Sequence, residues 1–246
     1  QTCSSCGSPR LRASGVGEQR TAEELGRAFP SVRVISSGGD RVVPEVGDGP
    51  ALVVATPGAE PWAPGGYGAV VLLDGWRLLD RPALDAGVET LRRWTAAAAS
   101  TRQAAPGDRP RVVLCGVPPH GGIPAVEALV RWDPVRLAST ELADRAALGL
   151  PPVRRHLVVS GPVRGTREVV EALVAAGHTA LGEPVADAGG EAVVVVREAG
   201  PGPGPAGPVE EGGIAADVQA VRAGRSARKS EDVVRLVLDA EGGASL

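Results

Sequence analysis

The sequence predicts an α/β protein in which a parallel-sheet domain is followed by a smaller α+β domain. In residues 1–149, four short apolar and β-branched runs alternate with helical stretches. Continuous apolar runs of this kind are typical of parallel strands buried on both faces. After Leu150-Pro151-Pro152 the alternation of strand and helix starts again, so we place a domain boundary at 149/150.

The elements of the first domain follow from their flanking residues. A helix is expected at its start, because Thr21 and Glu24 have the spacing of a capping box. The predicted strands are Ser31–Ser36, Ala51–Thr56, Ala69–Asp74 and Arg111–Gly116. The predicted helices are Pro82–Ala105 and residues 123–147, the latter with a break at Asp133-Pro134.

The second domain has strand and helix signals in the order expected of a split βαβ sandwich. Its predicted strands are Arg155–Ser160, Glu191–Arg197 and Asp232–Asp239, and its predicted helices are Thr166–Ala176 and Ile214–Ala223. The Gly/Pro-rich run Gly200–Pro208 is expected to be a surface loop between two of these elements.

The charge balance excludes a molecule drawn as a whole to nucleic acid or to an anionic membrane, because the net charge is -3. No apolar run approaches the ~20 residues that cross a bilayer, and no signal peptide opens the chain. We therefore expect no membrane partner and a cytoplasmic location. The chain begins with Gln and contains no Met, so we expect it to be the back portion of a longer protein.

Cys3 and Cys6 form a Cys-x-x-Cys pair followed by glycine. Two thiolates at this spacing form a knuckle that holds one side of a tetrahedral zinc ion. Since no further cysteine or histidine has ligand spacing, we predict a zinc half-site whose other ligands lie upstream of this chain. A redox pair or two idle thiols are the alternatives.

The sequence contains no Walker A loop, the motif that binds nucleotide phosphates through a lysine. Lys229 is the only lysine, and neither the glycine before it nor the spacing from Gly224 fits the motif. Cys115 and His120 lie close enough in sequence to pair as nucleophile and base. We prefer the alternative, a small buried cysteine in an apolar strand and a solvated loop histidine, and predict no catalytic residue.

Two runs of the chain combine several arginines with no aspartate or glutamate, namely residues 145–167 and 222–230. Local clusters of this kind contact DNA phosphates without changing the net charge of the protein. The alternative is an ordinary solvated surface. The predicted phosphate contacts are Arg222, Arg225, Arg228 and Lys229, followed by Arg154 and Arg155.

The order of several motifs is also specific. It runs CSSCG, GVGEQRTAEELGRAFP, ALVVATPGAEP, YGAVVLLDGWRLLDRPAL, EALVRWD and ELADRAALGLPP. This succession resembles the back half of the PriA family of primosomal replication-restart helicases (primosomal protein N′), and most of all its actinobacterial members. The resemblance implies the end of a zinc-binding region in residues 1–14, with Cys3 and Cys6 as its last ligands. It implies a RecA-like second helicase lobe in residues 15–149 and a DNA-binding domain in residues 150–246.

Two helicase motifs of the family are altered in this chain. Ala55-Thr56-Pro57 stands where the family has Gly-Thr-Gln, and only the threonine is kept. Residues 89–102 stand in place of Gln-x-x-Gly-Arg-x-Gly-Arg, whose arginine stabilises charge on the transferring phosphate, and Arg102 cannot be assigned that role. We therefore expect little or no ATP hydrolysis.

The resemblance then implies a protein that recognises forked or structured DNA and assembles with primosome and replication proteins. An active ATP-dependent 3′→5′ helicase with substitute residues is the second possibility, and a protein-interaction module without DNA contact is the third.

Overall fold

The computed structural model describes residues 17–118, 121–200 and 213–239, which divide into two compact units. The first contains residues 17–80 and 89–132, and the second contains residues 81–88 and 133–239, apart from the gaps. The predicted mixture of helices and strands is confirmed in both units. The domain limits drawn from the sequence at residues 14 and 149 stay predictions.

The first unit has its strands paired two by two. Its helices are α1 Glu18–Ala28, α2 Gly75–Leu79, α3 Ala86–Ala99 (which begins in the second unit) and α4 Pro124–Arg131, and its strands are β1 Arg33–Ser37, β2 Ala51–Ala55, β3 Ala69–Leu72 and β4 Arg111–Leu114. Strand β1 pairs with β2 and β3 with β4, both in parallel, as the apolar runs predict. Helix α1 packs against β1 and β2.

Two details of the first unit were predicted wrongly. Strands β3 and β4 are not buried on both faces: Val71 and Val113 are exposed, because the described residues do not cover these side chains. Thr21 is not a helix cap: α1 begins at Glu18 after Gly17, and the Thr21 hydroxyl donates to the Gly17 carbonyl from inside the helix.

The second unit contains a four-stranded antiparallel sheet. Its elements are α5 Pro134–Leu148, β5 His156–Pro162, α6 Val163–Ala175, β6 Thr179–Ala180, β7 Glu191–Arg197, α7 Gly213–Ala227 and β8 Arg235–Leu238. The strands lie in the order β6-β7-β5-β8. The chain order β5-α6-β6-β7-α7-β8 is that of the predicted split βαβ unit.

The core of the second unit lies between α6, α7 and one face of the sheet. Its fully buried members alternate along the strands, as a half-covered sheet requires. They are Leu157, Val159, Val169, Leu173, Val194, Val196 and Ile214. None of the helices within the described ranges is long and apolar enough to cross a membrane.

Candidate nucleic-acid interface

The C-terminal end of α7 brings together most of the cations that the sequence singled out. The Ser230 amide donates to the Arg225 carbonyl and the Lys229 amide donates to the Ser226 carbonyl, each at 3.1 Å. These two bonds form a Schellman motif, which ends a helix through a left-handed residue that is usually glycine. Here that residue is Lys229, with φ of 52°. The basic side chains also suit the negative end of the helix dipole.

A cleft of about 420 Å³ lies beside this end of α7. Arg222, Arg225 and Lys229 all line it, so the fold gathers three of the six predicted contacts around one space. The Arg222 guanidinium reaches across it, because its Nη2 donates to the Leu236 carbonyl of β8 at 3.3 Å. Arg222 and Lys229 are exposed.

Arg225 differs from its neighbours because its guanidinium is used inside the protein. Its Nη1 donates to Glu168 Oε2 at 2.5 Å, and its Nη2 donates to the Asp232 carbonyl at 2.7 Å. Arg228 shares the same carboxylate, since its Nη2 donates to Glu168 Oε1 at 2.7 Å. Glu168 therefore neutralises part of the charge of both arginines.

The carboxylate of Asp232 lines the cleft itself. Asp232 accepts from Arg164 Nε at 3.0 Å, and this hydrogen bond holds the pKa of Asp232 below its usual range. The sequence analysis missed Glu168 and Asp232 as partners, because both lie outside the two basic runs. Glu168 lies 57 residues from Arg225 along the chain, so only the packing of α6 against α7 reveals the contact.

Arg154 and Arg155 lie elsewhere on the second unit. Arg155 Nε donates to Asp239 Oδ2 at 2.9 Å, and Asp239 Oδ1 accepts the amide of His156. This ion pair closes the sheet where β8 ends, whereas the cleft lies where β8 begins. The structure thus does not bring these two arginines to the cleft, and Arg154 Nη1 points to the Ala199 carbonyl at 3.5 Å.

A buried histidine anchors the face of α7 near its start. His178 Nδ1 accepts the Ala199 amide at 2.9 Å, so the neutral ring carries its proton on Nε2, which lies 2.9 Å from Asp217 Oδ2. The sequence analysis found no signal for this pair, since the two residues lie 39 apart. Its geometry ties the β6 region to α7.

No group of three or more histidine, cysteine, aspartate or glutamate side chains suited to a metal occurs within the described ranges. Cys3 and Cys6 lie outside those ranges, and the zinc half-site stays a prediction.

The two segments that the sequence analysis compared with helicase motifs lie in the first unit. Thr56 follows β2, and its amide donates to the Ser37 carbonyl at 3.0 Å. Helix α3 ends at Ala99, so Arg102 lies beyond it rather than on it. Asp108 binds one edge of the Arg102 guanidinium, with Nε to Oδ2 at 2.5 Å and Nη2 to Oδ1 at 2.9 Å.

Comparison with curated proteins gives consistent matches. The probable replication restart protein PriA of Mycobacterium tuberculosis (strain CDC 1551 / Oshkosh) is 51% identical over 170 residues, which is 69% of this chain and 25% of that protein. The probable replication restart protein PriA of Mycobacterium leprae (strain TN) is 52% identical over 169 residues, with the same two shares. No protein-family model matches. The chain spans about a quarter of the length of these relatives.

These matches confirm the resemblance that the order of motifs indicates. Because half of the aligned residues are identical over more than two thirds of this chain, the similarity is far more extensive than a short motif. The chain is a PriA-like protein.

Proposed function

We propose that this chain acts in replication restart and binds forked DNA through phosphate contacts of its second unit. The observation that carries the proposal is the convergence of Arg222, Arg225 and Lys229 on one cleft of a PriA-like chain. The printed name of the relatives supports replication restart. The partners are forked DNA and the replication proteins that assemble on it.

Arg222 and Lys229 act as the direct phosphate contacts, because they are exposed and both line the cleft. Arg225 supports the cleft from inside through Glu168 and the Asp232 carbonyl. Arg228 joins the contacts when phosphates compete with Glu168 for its guanidinium. Contacts of this type position a protein on DNA and read little sequence.

Residues 15–149 correspond in this proposal to a RecA-like lobe that no longer supports a helicase. Arg102 ends the segment that stands in place of the altered motif, and Asp108 already binds one edge of its guanidinium through Nε and Nη2. Stabilising a transferring phosphate needs an arginine that reaches the nucleotide. An ATPase assay on the full-length parent tests this point, and robust DNA-stimulated turnover would favour the active helicase instead.

The DNA-binding experiment compares two double variants in fluorescence anisotropy with labelled forked DNA. Arg222→Ala/Lys229→Ala removes the two exposed cleft cations and leaves the buried Arg225 in place. Arg77→Ala/Arg136→Ala removes the same charge from exposed positions outside the cleft. Titrations at about 50 mM and 200 mM salt then report the number of phosphate contacts.

We expect the unaltered chain to bind forked DNA with an affinity that falls as the salt concentration rises. The affinity of the cleft variant should be at least about tenfold lower, whereas that of the control variant should be unchanged. Equal losses in both variants would show a general charge effect and contradict a specific role of the cleft. Absence of binding by the folded chain at low salt would contradict the proposed function. An affinity that does not change with salt concentration would indicate apolar contacts instead of phosphate contacts.

A further inference from the structure

The cleft beside α7 has two chemically different sides. Helix α7 and its end contribute Arg222, Arg225, Ser226 and Lys229. Residues 232–236, which include the start of β8, contribute Val233, Val234 and Leu236 together with the Asp232 carboxylate, which already binds Arg164. Val233 is 83% exposed, although a valine gains nothing from exposure to water. The hydrogen bond from Arg222 to the Leu236 carbonyl brings the cation directly against the apolar side.

We propose that this cleft takes one unpaired nucleotide, with its phosphate on Arg222 and Lys229 and its base against Val233. This inference rests on the proposed DNA binding and names the form of DNA that the same site prefers. An unpaired nucleotide is the occupant whose two halves match the two sides, because its phosphate is anionic and the faces of its base are apolar.

The size of the cleft agrees with such an occupant. Its volume of about 420 Å³ falls in the range of ~300–1,000 Å³ that holds small organic molecules. A DNA duplex keeps the faces of its bases stacked inside and presents only their edges and the backbone, so it has no base face to place against Val233. An unpaired strand has bases that turn outward and stack or pack on the protein.

The hydroxyls of Ser226 and Ser230 lie exposed at the same cleft. Each offers one donor and two acceptor positions that suit a phosphate oxygen or the edge of any base. Contact of a base face with a valine also does not distinguish one base from another. The site therefore favours unpaired DNA over duplex without a sequence preference.

The test measures how much the bases add to binding by the full chain. One labelled probe is oligothymidylate of about 12 nucleotides, within the site sizes of ~4–16 known for single-strand binding folds. The second probe is an abasic strand with the same number of phosphates, and the third is forked duplex DNA. The variant is Val233→Ser, and its matched control is Val185→Ser, which changes another exposed valine of the same unit.

We expect oligothymidylate to bind roughly threefold to tenfold more tightly than the abasic strand, as for one partly buried apolar contact. Val233→Ser abolishes this difference and leaves binding of the abasic strand unchanged, whereas Val185→Ser preserves the difference. An unchanged melting temperature of Val233→Ser confirms that its fold is intact.

Equal binding of the two single strands by the unaltered chain would overturn the inference. A Val233→Ser variant that still binds oligothymidylate more tightly than the abasic strand would also overturn it. If forked duplex is still bound in a salt-sensitive manner, the proposed function is supported and only the nucleotide site is contradicted. If no DNA is bound at all, both the proposed function and the nucleotide site are contradicted.

Discussion

Arg225 Nη1 and Glu168 Oε2 lie 2.5 Å apart, which joins α7 to α6 at the edge of the candidate cleft. The Arg225 side chain is only 10% exposed, and its Nη2 donates to the Asp232 carbonyl. A residue that the sequence singled out as a phosphate contact therefore also holds three parts of the second unit together. Substitution of Arg225 should therefore affect the stability of the fold more than substitution of its exposed neighbours.

Replacing Arg225 by alanine is expected to lower the free energy of unfolding by about 2 kcal/mol. The substitution leaves the Asp232 carbonyl without its donor and one Glu168 oxygen without a partner. Urea denaturation measures the change, and Arg222→Ala, an exposed position on the same helix, should change stability by less than about 0.5 kcal/mol. An Arg225→Ala variant that unfolds at the same urea concentration as the unaltered protein would contradict this role.

Glu168→Gln is expected to strengthen DNA binding. The substitution removes the charge that competes with phosphates for Arg228 and keeps an oxygen for Arg225. The plot of log affinity against log salt concentration should become steeper by the amount that up to about one further phosphate contact contributes. Glu171→Gln on the same helix makes the same change of net charge and is the control. A similar gain in both variants would assign the effect to overall charge.

The sequence predicts local elements of this protein well where the signal itself is local. Strand β7 occupies the predicted residues Glu191–Arg197. The predicted break at Asp133-Pro134 also falls between two helices, because α4 ends at Arg131 and Asp133 caps α5 by accepting the Arg136 amide. The exposed faces of β3 and β4 escape prediction, because an apolar run does not say which elements pack against its two faces. The two-residue strand β6 is too short to leave a pattern.

The candidate site shows the same limit. A run without acidic residues predicts a cluster of cations, and three of them, Arg222, Arg225 and Lys229, line one cleft at the end of α7. Their acidic partners come from other elements, since Glu168 lies on α6. Which arginine is buried depends on that packing. The sequence of the basic run alone therefore does not show that Arg225 is buried and Arg222 is exposed.

Lys229→Gly is expected to change stability and DNA binding in opposite directions. The left-handed backbone at this position, with φ of 52°, favours glycine over a residue with a side chain by about 1 kcal/mol. Glycine should therefore raise the free energy of unfolding while it removes a phosphate contact. Lys229→Ala keeps the backbone cost and loses the same charge, so it should weaken DNA binding without the gain in stability. Anisotropy and urea denaturation on both variants decide the matter, and equal stabilities would contradict the backbone argument.

His156 is expected to make the protein less stable as the pH falls from about 7 to 5.5. Burial lowers the pKa of this side chain below its ordinary value of 6.5. A backbone hydrogen bond with Gly149 and the charge of Asp239 oppose this shift, whereas the positive charge of Arg197 adds to it. The unfolded chain therefore binds a proton at a higher pH than the folded one, and stability present above the unfolded pKa is lost as the pH falls.

His156→Leu removes this titration at a position that is 8% exposed and whose Nε2 has no hydrogen-bond partner within the described residues. Urea denaturation across this pH range should show a flatter dependence for the variant than for the unaltered protein. Because the comparison is between slopes, it does not depend on whether leucine itself is more or less stable at pH 7. Identical slopes would show that the pKa of His156 is not lower in the folded than in the unfolded chain.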